Sequence, residues 1–262
     1  MWRFDLPTGK KFGLCIYLAL LCLTHWSVQA TSIKLTVGEW PPFIGQHLED
    51  EGVGSKIVKE LFRRAGYEVI LEFYPWPRAY RHAAEAEKEG SILWIWTEKR
   101  AKLFHYSEPV FSSGSYFFMR KSRYIDWNSF KDFKGKVIGI AAGYQYGHDF
   151  AQAEKQRLID TERFNGNDEK LLRLLLGRLD VVVVDYYVAY SILNNYFEPD
   201  ERAKIKHHPR PIATEGLHLI MPKKSKASLK YLEQFNKKLQ EAKDEGYIER
   251  MLKKALGGAE LP

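Results

Sequence analysis

The stretch Ser91-Ile-Leu-Trp-Ile-Trp96, followed by Thr97-Glu-Lys-Arg100, decides how this chain is read. An apolar run of strand character stops at a residue well suited to cap a helix. Glu98 and Lys99 then suit a first helical turn. Arg100 falls one short turn past a strand end, beside two large aromatics, Trp94 and Trp96. A guanidinium packed there is a preformed fork for a carboxylate. Successive strand residues point to opposite faces, so at most one of the two tryptophans faces the same cleft as Arg100 and the other is core.

Working outward, strands and helices alternate. Residues 33–37 read as a strand by period two. Residues 54–65 read as a helix with Ile57, Leu61 and Phe62 on one face, closed by Gly66. A strand over 67–74, a helix over 77–87 with Pro77 in its first turn, and the strand 91–96 complete a βαβαβ unit. That order predicts a parallel sheet covered by helices on both faces. After a small, flexible segment at 111–115, the pattern resumes. Residues 116–119 are extended, 127–133 a short helix, 136–141 a strand, and 147–156 and 167–176 helices, the latter ended by Gly177. Asp180-Val-Val-Val-Val-Asp185 reads as a buried strand closed by a carboxylate, with a helix over 186–195 behind it. Residues 217–221 are extended, and 228–256 supply two helices broken at Gly246.

Two βα units in sequence suggest two lobes, with crossings at 112–116 and 212–217. Ligands of such sheets bind at the carboxyl ends of the strands. The chemically interesting side chains fall there: Trp40, Trp76, Arg78, Arg100, the Tyr144-Gln145-Tyr146 run and Asp185. Together they define a cleft. Glu215, in the second crossing, is placed to reach it. Asp185 also reads as the N-cap of the following helix, and the two roles are compatible. Trp40 fits packing and ligand contact equally.

The first thirty residues read as an export label. Arg3, Lys10 and Lys11 precede an apolar run at 12–23, too short to span a membrane comfortably, and Val28-Gln-Ala30 suits cleavage after Ala30. An uncleaved anchor is the alternative. Both cysteines, Cys15 and Cys22, lie in this segment, so the mature chain has no thiol. The remaining 37 Lys/Arg and 32 Asp/Glu leave a net charge of +5, spread without a dense block, which argues against nucleic acid. His207-His208 are adjacent and diverge, and no Gly-rich phosphate loop is present, so neither a metal nor a cofactor is expected.

Short motifs spread over 32–256 resemble the bacterial extracellular solute-binding proteins of family 3, the type II periplasmic binding proteins of polar amino-acid ABC transporters. They are Val37-Gly-Glu-Trp-Pro-Pro-Phe43, Thr97-Glu-Lys-Arg100 with Tyr106-Ser-Glu-Pro109, Gly135-Lys-Val-Ile-Gly139 with Gly143, and Gly177-Arg-Leu-Asp-Val181 running to Asp185. The resemblance implies a two-lobed α/β fold, each lobe a mostly parallel sheet flanked by helices. Residues 31–113 plus 216–262 would form lobe 1, and 114–215 lobe 2. It implies that Arg100 holds a ligand carboxylate, Asp185 the ammonium, and that Trp40 covers the apolar part. Trp76, Arg78, Trp94, Tyr144 and Gln145 complete the expected ligand-binding set. Ile92, Leu93, Ile95 and Trp96 stand where histidine- and lysine-binding members carry small hydroxyl residues, so this cleft is bulkier and more apolar. The expected protein is a periplasmic monomer that captures a small polar or zwitterionic solute for a membrane permease, and not an enzyme. A sensory binder reporting to a membrane receptor, and a dehydratase on the same fold, are the alternatives.

Overall fold

The computed structural model describes residues 1–2, 31–142, 144 and 146–255. The export label, its two cysteines, the cleavage site and Gln145 lie outside the described residues.

Apolar periodicity builds the first half as expected. Strand β1 (Thr31–Val37) buries Ile33, Leu35 and Val37. Helix α1 (Val53–Arg64) turns Ile57, Val58, Leu61 and Phe62 inward and carries Arg63 and Arg64 in its last turn, where cations suit the helix dipole. Gly66 then takes φ +87°, a conformation that favours glycine. Strand β2 (Tyr67–Phe73), helix α2 (Trp76–Ala84), strand β3 (Gly90–Ile95) and the short helix α3 (Glu98–Ala101) follow. Thr97 caps α3, its Oγ1 accepting from the Arg100 amide at 3.2 Å.

Beyond β4 (Phe104–Tyr106), the segment expected to be flexible is the start of a ten-residue strand, β5 (Phe111–Arg120). The chain continues through β6 (Val137–Ala141), α4 (His148–Lys155), β7 (Asp160–Phe164), α5 (Asn167–Leu175) and β8 (Val181–Asp185). Then come α6 (Tyr186–Tyr196), α7 (Pro199–Arg202), β9 (Ile205–His207), β10 (Ala213–Pro222), α8 (Ser228–Asp244) and α9 (Tyr247–Ala255). Of the expected helix at 127–133, only Phe130–Phe133 forms, as a 3₁₀ turn.

The strands join in one sheet of order β2-β1-β3-β10-β5-β8-β6-β7. Pairs β1–β3, β6–β7 and β6–β8 are parallel. Strand β10 is antiparallel to β3 and β5, and β5 is antiparallel to β8. The sheet is therefore mixed at its centre. The segments expected to be crossings are paired with each other: Phe111 to Ser115 lie against Leu217 to Ala213. A Ser- and Gly-rich strand can persist there because its backbone pairs with β10 along 111–115 and with β8 from Ser115 on, without help from β-propensity.

Lys170, on α5, is wholly buried and donates to the Val183 carbonyl at 2.7 Å. Burial pushes its pKa down to about 7. The folded protein therefore binds fewer protons than the unfolded chain between pH 7 and 10, and stability rises with pH across that window. We expect Lys170→Met to flatten this rise by up to about 1.4 kcal/mol per pH unit, read by urea unfolding at pH 7 and 9.5. An unchanged slope would contradict the burial of a charge there.

Candidate functional site

Residues opposite one another in a ladder project to the same face. Ser113 lies opposite Glu215, and Ser115 lies opposite both Ala213 and Asp185. Two serines thus sit between two carboxylates on one face of β8, β5 and β10. These side chains floor a cavity of about 80 Å³, walled by Trp40, Ile95, Tyr144, Tyr146 and Asn167. Among the described residues, no Lys or Arg lines it. A wider groove of about 730 Å³ adjoins it, sharing Trp40, Tyr144, Asn167 and Val188.

Asp185 ends β8 and caps α6. Its Oδ1 accepts from the amides of Tyr187 and Val188 at 3.0 and 3.2 Å, and its Oδ2 accepts from the Ser113 hydroxyl. Burial raises its pKa to about 6, against the pull of those three donors. The carboxylate is partly exposed to the cavity, and protein surrounds it on its other sides.

Arg100 is half-buried. Its Nη1 donates to the Ile95 carbonyl at 2.9 Å, and its Cζ stands 4.7 Å over the Trp94 ring. It pairs with no carboxylate among the described residues. A cation held by a carbonyl and an aromatic face, with donors to spare, suits an external anion.

The expected site residues divide accordingly. Trp40, Tyr144 and Asp185 line the small cavity; Arg100 lines neither cavity and bonds the backbone of Ile95, which walls the small one. Trp94 is core, 9% exposed, and lies beneath Arg100; Trp96 is 55% exposed. Trp76 lines neither cavity and instead donates through Nε1 to the Glu39 carbonyl at 3.2 Å. Arg78 is exposed on α2 and also lies off both linings. Proline at the second position of α2 sets that helix where Trp76, and not Arg78, turns inward.

Ser113, Ser115 and Asn167 were not legible as lining residues, whereas Tyr146 belonged to the run placed at the cleft. The serines sat in a segment that read as a linker. Asn167 opens α5, and a helix start beside strand ends was the available signal. Tyr146 accepts from the Ala141 amide at 2.8 Å, a contact that chain spacing does not announce. Among the described residues, no group of three His, Cys, Asp or Glu could hold a metal, and no helix is long and apolar enough to cross a membrane.

The sequence profile of the bacterial extracellular solute-binding proteins, family 3, matches residues 34–258. The chain belongs to that family. An arginine-binding periplasmic protein of Mannheimia haemolytica is 22% identical over 236 residues, 88% of this chain and 94% of that protein. Substrate-binding domain 2 of Lactococcus lactis GlnP, in an open conformation, superposes with a TM-score of 0.70 at 18% identity, covering 88% of this chain and 98% of that one. A histidine kinase sensor domain with similarity to periplasmic binding proteins gives 0.64 at 18%, covering 86% and 96%. Family membership makes this chain a solute-binding protein, and the superpositions give it the type II periplasmic binding-protein fold.

The raised pKa of Asp185 has a consequence for stability. The folded state binds more protons than the unfolded chain between pH 4 and 6, so this group's contribution falls as pH rises through that window. Asparagine keeps the capping oxygen without the charge. We expect Asp185→Asn to remove that fall, leaving the unliganded protein at least as stable as wild type at pH 7 in urea unfolding. A variant less stable than wild type at pH 7 would contradict it.

Proposed function

We propose that this protein captures a small zwitterionic solute, an amino acid or close relative, in the periplasm and delivers it to the permease of an ABC transporter. The observation that carries this is a separation of charge. Arg100 offers a guanidinium with no carboxylate partner among the described residues, while the small cavity walled by its bonding partner Ile95 holds Asp185 and Glu215, with no basic side chain among the described residues of its lining. A carboxylate at the first and an ammonium at the second would satisfy both. The Trp40 face, Tyr144 and Ile95 would cover the apolar part. Asp185 keeps its two capping amides and the Ser113 hydroxyl while doing so, because a carboxylate has about four acceptor sites.

In this reading residues 31–113 and 216–262 form one lobe and 114–215 the other, joined through β5 and β10. Closure pulls Asp185 and Tyr144 toward Arg100 and Trp40, and the solute stabilises the closed form because only that form offers contacts from both sides. The segment before Ala30 acts as a cleaved export signal. The arginine-binding relative supports an amino-acid ligand. The sensor-domain likeness supports a second reading, in which the closed form reports to a membrane receptor. No catalytic role is assigned to the cleft carboxylates.

Thermal unfolding of residues 31–262 against the standard amino acids, matched amines and matched carboxylic acids tests the proposal. We expect a midpoint that rises with the concentration of at least one amino acid. Arg100→Ala and Asp185→Ala are each expected to cost about 10- to 100-fold in affinity while the variant stays folded. Normal binding by Arg100→Ala would remove that residue from the site. Because an ammonium requires ionised Asp185, affinity is expected to fall about tenfold per pH unit below pH 6. A flat profile between pH 5 and 7 would sever Asp185 from the ligand.

A further inference from the structure

Leu93, in the middle of β3, has φ +60°, a left-handed conformation that a branched side chain rarely adopts. The ladder with β10 shows its origin. Trp94 faces His218 and Ser91 faces Ile220, so three steps on β3 match two on β10. The extra residue is a β-bulge, and bulges re-aim the side chains that follow them. In a regular strand residues three apart point to opposite faces. Here Trp94 Nε1 donates to Ser91 Oγ at 2.7 Å, and Ser91 in turn donates to the Thr36 carbonyl. The bulge has brought Trp94 round to the side of Ser91, and its ring lies under the Arg100 guanidinium at 4.7 Å.

Trp76 closes the other side. Its ring meets Trp94 edge-on, with centroids 5.1 Å apart, and its Nε1 holds the carbonyl of Glu39, the neighbour of Trp40. It fits only because residue 38 is glycine: a Cβ there would stand 2.5 Å from the indole. One chain of contacts therefore runs from the Trp40 turn through Trp76 and Trp94 to Arg100.

We propose that the Trp76–Trp94 pair is a positioning device that holds Arg100 in its anion-binding geometry and sets it against the Trp40 turn. The proposal rests on the reading of Arg100 as the carboxylate fork. An arginine on a free stem loses rotamer freedom when it binds, whereas one already stacked and hydrogen-bonded loses less. The strained Leu93 backbone is tolerated because it delivers the ring to that place, consistent with strain being kept where function needs it.

Two measurements test this. In ¹⁵N-edited spectra of the unliganded protein, the Arg100 Nε–H resonance, assigned by its disappearance in Arg100→Lys, should show an upfield ring-current shift that is lost in Trp94→Leu. Trp76→Phe, a milder change at a half-buried site, should reduce that shift and serves if Trp94→Leu does not fold. Calorimetric titration then uses the standard L-amino acid with the largest thermal shift, and its carboxamide. Trp94→Leu or Trp76→Phe should weaken the amino acid about 3- to 30-fold, leave the carboxamide unchanged, and have no further effect in an Arg100→Ala background. An unshifted Arg100 resonance, or equal weakening of acid and carboxamide, overturns the positioning role. If no amino acid binds, the proposed function fails, and the spectra alone decide whether the bracket holds Arg100.

Discussion

The antiparallel ladder between residues 111–115 of β5 and 213–217 of β10 constrains the rest of this molecule. Each of these strands continues into a different part of the sheet: β10 runs on to β3 and β4, and β5 runs on to β8 and β9. Whatever lies on the shared face is thereby fixed relative to both. Side-chain parity does the remainder. Ser113 and Ser115 point to one side, so Glu215 must join them from β10 and Asp185 from β8. A one-residue slip in either ladder would send these groups to the opposite face. Small residues in this ladder leave room for a ligand, and the backbone pairing supplies the order that their side chains do not.

Electrostatics then give the cavity its character. A carboxylate surrounded by protein and held by three donors still has its pKa raised to about 6, so desolvation outweighs the hydrogen bonds. Arg100, outside the lining of either cavity, keeps donors to spare where it bonds the carbonyl of Ile95, a residue of the small cavity's wall. Neither forms an ion pair among the described residues, and they differ in sign. Proteins usually pair or solvate such groups. In the proposed reading these two charges take the two ends of a zwitterion. Lys170 differs in kind: it sits in the core of α5 against the Val183 carbonyl, and its lowered pKa affects stability without reaching the cleft.

The elements with strong period or punctuation were legible from residues alone. Helix α1 was bounded by its apolar stripe and Gly66, α5 by Gly177, and the final pair by Gly246, each glycine having positive φ. Strand β8 announced itself by four valines. Strand β7 did not, because Asp160-Thr-Glu-Arg-Phe164 is mostly polar and lies at the sheet edge, where only its pairing with β6 defines it. The first half of β5 was lost for the same reason. At the site, strand-end reasoning pointed to Asp185, Trp40 and Arg100, of which Asp185 and Trp40 line the small cavity. It also pointed to Trp76 and Trp94, which line neither cavity and pack against each other, Trp94 under Arg100; the bulge at Leu93 changes strand parity there and leaves no mark in composition. That bulge is a tertiary event, set by how β10 pairs.

One calorimetric comparison tests the central claim most directly. It titrates wild-type residues 31–262 at pH 7.5 with three matched solutes: an amino acid that raises the unfolding midpoint, the amine lacking its carboxylate, and the acid lacking its amine. If Arg100 and Asp185 each take one end of a zwitterion, the complete amino acid binds at least tenfold more tightly than either fragment. Equal affinity for the amine and the amino acid would show that Arg100 takes no carboxylate, and equal affinity for the acid would show the same of Asp185 and an ammonium.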